Sequence, residues 1–256
     1  MRTEQGPLIL RSGRQKVILA VLLLSEGRVA PTEQLIEAVW GGTPPPTARS
    51  QVQICISALR RTLAAALPGR TIETHAYGYT LTVRDDDLDT RVFNRTVRAG
   101  QRAAADGRLN EGIALLQEAL SIWRGSALAD LPGLMMHSEA ARLEEKRLSA
   151  IEQRMEIGIE LGLHRELIDD LAGLVAEYPL NERLNGLMML SLYRSGRQAE
   201  ALAVYRKIRK NLAEQLALQP GRGLRDLEHA ILNQDESLES VSPDWLRIDF
   251  VRGRAA

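Results

Sequence analysis

The sequence predicts a mainly α-helical protein that has a small α+β domain followed by a longer all-α domain. Two observations predict this class, and the distribution of charge divides the chain near the same point. Residues 1–85 contain three helical segments and then two β-rich runs around an Ala-Tyr-Gly centre. Beyond residue 90, strand signals are scarce and glycine-led helical segments recur. The formal net charge of the 256 residues is zero, but it divides into +4 over residues 1–85 and −4 over residues 86–256.

Local signals predict each element of the first domain. "MRTEQGPLIL" indicates a short strand-turn-strand, and "SGRQKVILAVLLLSEG" indicates a helix that Ser12 caps and Gly27 ends. "PTEQLIEAVWGG" indicates a second helix with Pro31 in its first turn. A stiff "TPPP" loop then leads into a third helix, and "TIETH" and "YTLTV" form a hairpin. This order predicts a winged helix-turn-helix domain over residues 1–85.

The third helix, "TARSQVQICISALRRTL", has two chemically different sides. At about 100° per residue, an apolar stripe falls on one side and a polar face on the other. The polar face contains arginine, serine and glutamine but no carboxylate. For an isolated helix this would be a solvated surface. The apolar stripe consists of Ala48, Val52, Cys55, Ile56, Leu59 and Leu63.

The position of this helix favours DNA binding over a merely solvated face. Phosphates require cations, and base edges in the major groove suit short polar side chains or bidentate Arg and Gln. A recognition helix is expected after two shorter helices and before a hairpin. His75 and Tyr77 lie near the hairpin tip, where a wing touches DNA, whereas Tyr79 is expected in the core. On the helix, the predicted base or nearby phosphate contacts are Arg49, Ser50, Gln53 and Ser57, and the predicted backbone contacts are Arg60 and Arg61.

The second domain is predicted as an irregular, three-unit tetratricopeptide-like array over residues 91–235, followed by a tail, residues 236–256. Its units begin at Gly107, Gly162 and Gly196, and the last two glycines lie one tetratricopeptide period apart. An insertion around "RGSALADLPGLMMHSEAARL" separates the first unit from the second. The acidic segment "RDDDLDT" between the domains is interpreted as a solvated linker, because the EF-hand spacing is absent. The "YRKIRK" segment is either a second basic patch or, as expected in an acidic domain, a solvated face.

Catalytic and cofactor motifs are absent from the sequence. There is no Walker A or dinucleotide-binding glycine pattern, no nucleophile elbow and no zinc-binding spacing among the four histidines. We therefore expect neither enzymatic activity nor a cofactor or metal. Cys55 is the single cysteine, and the longest apolar run is far too short to cross a bilayer, so we expect a cytoplasmic location without membrane attachment.

Segments along most of the chain carry a resemblance to a known family; they include "LLLSEGRVAPTEQLIEAVWGG", "GYTL", "ALSIWRGSALADL", "SLYRSGRQAEALAVYRKIRKNL" and "LEHAILNQD". Together they resemble the Streptomyces antibiotic regulatory protein family. The resemblance covers nearly everything from Gly13 to Asp235. It implies an OmpR-type winged helix fused to a bacterial transcriptional activation domain. It also implies a further strand before "RTEQG". The wing position of His75 is commonly arginine in the family.

The resemblance implies a transcription activator. Such activators bind direct repeats near promoter −35 regions as side-by-side protomers, recruit RNA polymerase, and switch on gene clusters for secondary metabolites such as antibiotics. The loop after the second helix is implied to contact polymerase, including its sigma factor. From the residues alone, the alternative is a tetratricopeptide interaction scaffold with weak or no DNA binding. The implied polymerase-contacting residues are Gly41, Gly42, Thr43, Pro44, Pro45 and Pro46.

Overall fold

A computed structural model of the chain describes the backbone of residues 2–3 and 6–7, and residues 10, 12–66 and 69–239 in full. Its contacts divide the chain into two compact units. The first unit comprises residues 1–95 and 121–147, and the second comprises residues 96–120 and 148–256.

The first unit contains the predicted winged helix-turn-helix. β1 and β2 pair in antiparallel fashion, and a second sheet has the order β3-β5-β4. In that sheet, β5 pairs antiparallel with both neighbours, and β4 and β5 form the predicted hairpin. The elements are β1 Arg2–Thr3, β2 Gly6–Pro7, α1 Gly13–Leu24, β3 Ala30–Pro31, α2 Thr32–Trp40, α3 Ala48–Ala66, β4 Thr71–His75 and β5 Gly78–Thr82.

The helix starts follow the sequence signals, with two corrections. Ser12 occupies the N-cap position of α1, but its side chain makes no capping hydrogen bond. Pro31 precedes α2 as its N-cap residue and lies in the short strand β3, which the sequence did not predict. The strand forms because the backbone of Ala30 pairs with Tyr79 in β5, a contact between distant residues that no local pattern reports.

One hydrophobic core fills the first unit. The whole apolar stripe of α3 is buried in it, as predicted, together with Tyr79. The segment of residues 121–147 also contributes to this core: Met136 is buried in it, and Leu128, Leu131 and Met135 pack against it. The contacts therefore place residues 121–147 with the winged helix, whereas the sequence boundaries assign them to the helical-repeat domain.

The acidic segment is more structured than the predicted solvated linker. Asp85–Asp87 form a 3-10 turn. Asp87 accepts two hydrogen bonds from Arg70. Arg70 Nε donates to Asp87 Oδ2 at 2.8 Å, and Arg70 Nη2 donates to Asp87 Oδ1 at 2.5 Å. The side chain of Asp87 is only 17% exposed, and that of Arg70 only 10%. Arg95 pairs with the exposed Asp86. The linker interpretation is wrong for Asp87, because an arginine far from it in sequence holds its carboxylate in a partly buried ion pair.

The second unit consists of helical hairpins. The glycines that begin the three predicted repeats all lie in turns between helices, where their φ angles of 76° to 80° favour a residue without Cβ. The positions five and nine residues beyond each glycine are buried, as the repeat register predicts; these are Gly112, Leu167, Ala201, Leu116, Leu171 and Tyr205. The remaining α-helices among the described residues are α4 Asp89–Ala105, α5 Leu109–Ser121, α6 Leu134–Glu160, α7 Ile168–Glu177, α8 Glu182–Arg194, α9 Gln198–Leu216 and α10 Arg222–Asn233.

The start of the predicted tail packs into the hydrophobic core of the second unit. A 3-10 turn, Glu236–Glu239, buries Leu238 completely, and Arg194 Nε donates to the carbonyl oxygen of Leu238 at 2.8 Å. The apolar tail residues Trp245, Leu246, Ile248 and Phe250 lie outside the described residues.

Candidate DNA-binding surface

Helix α3 presents an exposed row of side chains directly opposite its buried stripe. Ser50, Ile54, Ser57 and Arg61 are spaced four, three and four residues apart, so they fall within a sector of roughly 60°. All four are exposed. Within the described part of the chain, the three polar members of the row make no side-chain hydrogen bond or ion pair. We call these four residues the outward row.

Sequence reasoning missed Ile54, which lies at the centre of this row. Its residue surface is 67% exposed, although it is a large apolar side chain. The helical wheel would have placed it among the polar residues, because it lies only about 40° from Ser50.

Arg49 and Gln53 lie on one flank of the outward row. The guanidinium of Arg49 pairs with the carboxylate of Glu33 on α2, and the two side chains are 66% and 72% exposed. An ion pair this exposed is worth less than about 1 kcal/mol and can exchange for a phosphate. The side chain of Gln53 is exposed and has no partner among the described residues.

Arg60, on the same flank, joins α3 to the hairpin. Its Nε donates to the carbonyl oxygen of Ile72 at 2.7 Å, and its Nη2 donates to Thr74 Oγ1 at 2.7 Å. Two of its donors are thus used within the fold. The structure gives Arg60 a role that the sequence did not suggest, which is to fix the hairpin relative to α3.

Arg14 fixes the loop between α2 and α3 from both ends. Its guanidinium carbon lies 5.3 Å from the centroid of the Trp40 ring, at the end of α2, and its Nη1 donates to Gln51 Oε1, near the start of α3. Gln51 Nε2 in turn donates to Thr47 Oγ1 at 2.8 Å. Most of the predicted polymerase-contacting residues between these anchors are exposed. Gly42, Thr43, Pro44 and Pro46 are exposed, and Gly41 and Pro45 are half-buried.

Cys55 lies on the buried side of α3. Burial raises the pKa of the Cys55 thiol, and the charge of Arg14 lowers it by a smaller amount. The thiol therefore stays protonated at neutral pH and acts as a small apolar group in the core.

The hairpin tip is exposed, as a wing requires. His75 is exposed at the end of β4, and Tyr77, in the turn, is 65% exposed. The turn is anchored through its backbone, because the Thr32 amide donates to the carbonyl oxygen of Tyr77 at 2.9 Å. The side chains at the tip thus remain accessible while the main chain is held.

Metal sites and membrane spans are both absent from the described residues. No group of three or more His, Cys, Asp or Glu side chains in this part of the chain is arranged to hold a metal ion. No described helix is both long enough and apolar enough to cross a membrane.

Known proteins resemble both parts of the chain. The family described as "Transcriptional regulatory protein, C terminal" matches residues 7–81, and the family described as "Bacterial transcriptional activator domain" matches residues 88–232. The Regulatory protein DnrI of Streptomyces peucetius is 36% identical, with 92% of this chain and 89% of DnrI covered. The Regulatory protein AfsR of Streptomyces griseus is 38% identical over 93% of this chain, which spans only 24% of AfsR.

A solved structure, "Mycobacterium tuberculosis EmbR in complex with low affinity phosphopeptide", is similar with a TM-score of 0.83 and 32% identity. The match covers 87% of this chain and 60% of the EmbR chain. The two family matches fall on the winged helix-turn-helix and on the helical repeats, and DnrI matches along almost its whole length. The chain belongs to the Streptomyces antibiotic regulatory protein family of transcriptional activators.

Proposed function

We propose that this chain is a sequence-specific, cytoplasmic DNA-binding activator that uses α3 to read the major groove of promoter DNA. The observation that carries the proposal is the exposed, carboxylate-free side of α3. No Asp or Glu occurs anywhere in the helix, so nothing on it repels phosphate. Gln53 and Arg61 supply an amide and a cation without partners among the described residues. Arg49 adds a second cation, held in a weak surface pair.

A selection experiment tests this function and identifies the operator at the same time. The full chain is incubated with a randomised pool of duplex DNA, and bound duplexes are amplified through several rounds. We expect one motif to be enriched, in two copies with the same orientation. If no motif is enriched, the DNA-reading role is rejected in favour of a protein-interaction scaffold.

On the enriched duplex, Gln53→Ala should weaken specific binding by about 1–3 kcal/mol and leave binding to unrelated DNA unchanged, because a bidentate amide contact discriminates among bases.

Arg61→Ala should weaken binding to all sequences and reduce the salt slope by about 1, because a phosphate contact releases a counterion. Arg61 suits this test better than Arg60, whose donors already bond to β4. Fluorescence anisotropy at several salt concentrations measures both effects. Gln117→Ala, an exposed glutamine on α5, is the matched control. If Gln53→Ala keeps the base preference of the wild-type chain, the proposed contact between Gln53 and a base edge is refuted.

We further propose that protomers bind side by side on direct repeats near the promoter −35 region. Two protomers in the same orientation require half-sites spaced by about one helical turn, roughly 10–10.5 bp. Inserting half a turn between the repeats should abolish cooperative binding, because it places the second protomer on the opposite face of the duplex. A gel-shift titration measures this. Cooperativity that survives the insertion would contradict the arrangement, and a full-turn insertion is the control.

The exposed loop after α2 is proposed to contact RNA polymerase, including the sigma factor, during activation of secondary-metabolite genes. Replacing Thr43–Pro46 with a Gly/Ser segment should spare DNA occupancy and reduce transcript several-fold. The three consecutive prolines restrict the loop conformation, and flexible replacements would need to be ordered on contact. The measurement is the ratio of transcript to promoter occupancy in a purified polymerase reaction. An unchanged ratio would remove this loop from the activation mechanism.

A further inference from the structure

We propose that Ile54 is a specificity-determining residue that contacts the 5-methyl group of a thymine in the major groove. This inference rests on the proposed function and names a base feature that the function alone does not specify. Ile54 is the one large apolar side chain in the outward row and lies opposite the stripe that packs into the core. It therefore projects from the face that enters the groove.

The side chain of Ile54 extends farther from the helix than those of the two serines beside it. Ser50 and Ser57 flank it one turn before and one turn after, and both have short side chains. A helix that approaches DNA with this face brings the isoleucine closer to the base edges than either serine. The two serines leave room for the close approach, and Arg61 supplies a cation farther along the same row.

The chemistry of the groove selects the target base. In the major groove, guanine and adenine present acceptors or donors, cytosine presents an amino donor, and only thymine presents a methyl group. An isoleucine against a polar edge would bury that edge without a hydrogen bond, which is unfavourable. Against a thymine methyl, it removes two apolar surfaces from water. A tertiary role in this chain does not explain Ile54, since 67% of its surface is exposed.

Replacing thymine with deoxyuridine tests the contact, because uracil lacks only the methyl group and pairs normally. Each thymine of the duplex enriched by selection is replaced singly, and affinity is measured for the wild-type chain, Ile54→Ala and Ile54→Val. We expect one or two thymines per half-site at which the wild-type chain loses roughly four-fold in affinity, as for burial of one methyl group. Ile54→Ala should show no loss at those positions, and Ile54→Val should keep part of it.

Leu134→Ala is the control, because Leu134 is an equally apolar and even more exposed residue, at 86%, on α6. It should retain the wild-type response to every deoxyuridine. If Ile54→Ala responds to every replacement as the wild-type chain does, the thymine contact is refuted while the proposed DNA-reading function stands. If the selection enriches no motif at all, both are refuted.

Discussion

Gly78→Ala should destabilise the first unit by about 3 kcal/mol, which is at the upper end for an overpacking substitution. A Cβ at this position would lie 2.1 Å from the carbonyl oxygen of Ala30 and 2.9 Å from the Cα of Pro31. Both neighbours are backbone atoms of β3, so no side-chain rotation can relieve the overlap. Relief requires separating β3 from β5, which breaks the pairing of Ala30 with Tyr79 and of Pro31 with Gly78.

The loss should appear as a lower midpoint in urea denaturation of the full chain, accompanied by weaker DNA binding because the hairpin carries the wing. Gly13→Ala is the matched control. Gly13 begins α1, and a Cβ there would meet nothing within 4 Å. Its midpoint should equal or slightly exceed that of the wild-type chain, because alanine favours a helix over glycine. A Gly78→Ala chain as stable as the wild-type chain would show that β3 does not pack on β5 as described.

Asp87→Ala should cost a similar amount, about 3 kcal/mol, because it leaves the largely buried guanidinium of Arg70 without its carboxylate. The substitution also removes the acceptor for the Arg84 amide, which donates to Asp87 Oδ2 at 3.0 Å. Asp86→Ala is the control on the same turn. Its pair with Arg95 has side chains 80% and 58% exposed, so its loss should change stability by less than about 1 kcal/mol. Equal losses in the two variants would contradict the burial of the Arg70–Asp87 pair.

The same ion pair predicts a pH dependence. The hydrogen bond from Arg70 is the largest effect and holds the pKa of Asp87 below its ordinary value. Burial raises this pKa by a smaller amount, and the Arg84 amide lowers it again by less than burial raises it. A carboxylate with a lowered folded-state pKa contributes stability above its unfolded pKa of roughly 3.9 and loses it as the pH falls through the folded value. The stability difference between the wild-type chain and Asp87→Ala should therefore be constant near neutral pH and shrink below about pH 4. Denaturation midpoints measured between pH 7 and pH 2 provide the check.

The sequence by itself determined the local elements and the polarity of α3. Apolar residues at helical spacing identified the stripe from Ala48 to Leu63, and all six of its members are buried. The glycines of the repeat turns and the buried positions five and nine residues after them also followed from spacing alone. These predictions succeeded because the helical period and the turn preferences of glycine act within a few residues. The absence of carboxylates from α3 could likewise be predicted, because it depends only on one continuous stretch of sequence.

Only the tertiary structure decided which distant segments meet. The sequence "RGSALADLPGLMMHSEAARL" is interpreted as an insertion between repeats. In the structure it packs on the winged-helix core through Leu128, Leu131 and Met136. A fragment ending near Asp85 would therefore lose part of that core. Likewise, the bonds of Arg60 to β4 and of Arg70 to Asp87 join residues 12 to 17 positions apart. Periodicity shows which side of a helix is buried, but not which segment covers it, because the covering surface depends on how the whole chain returns on itself.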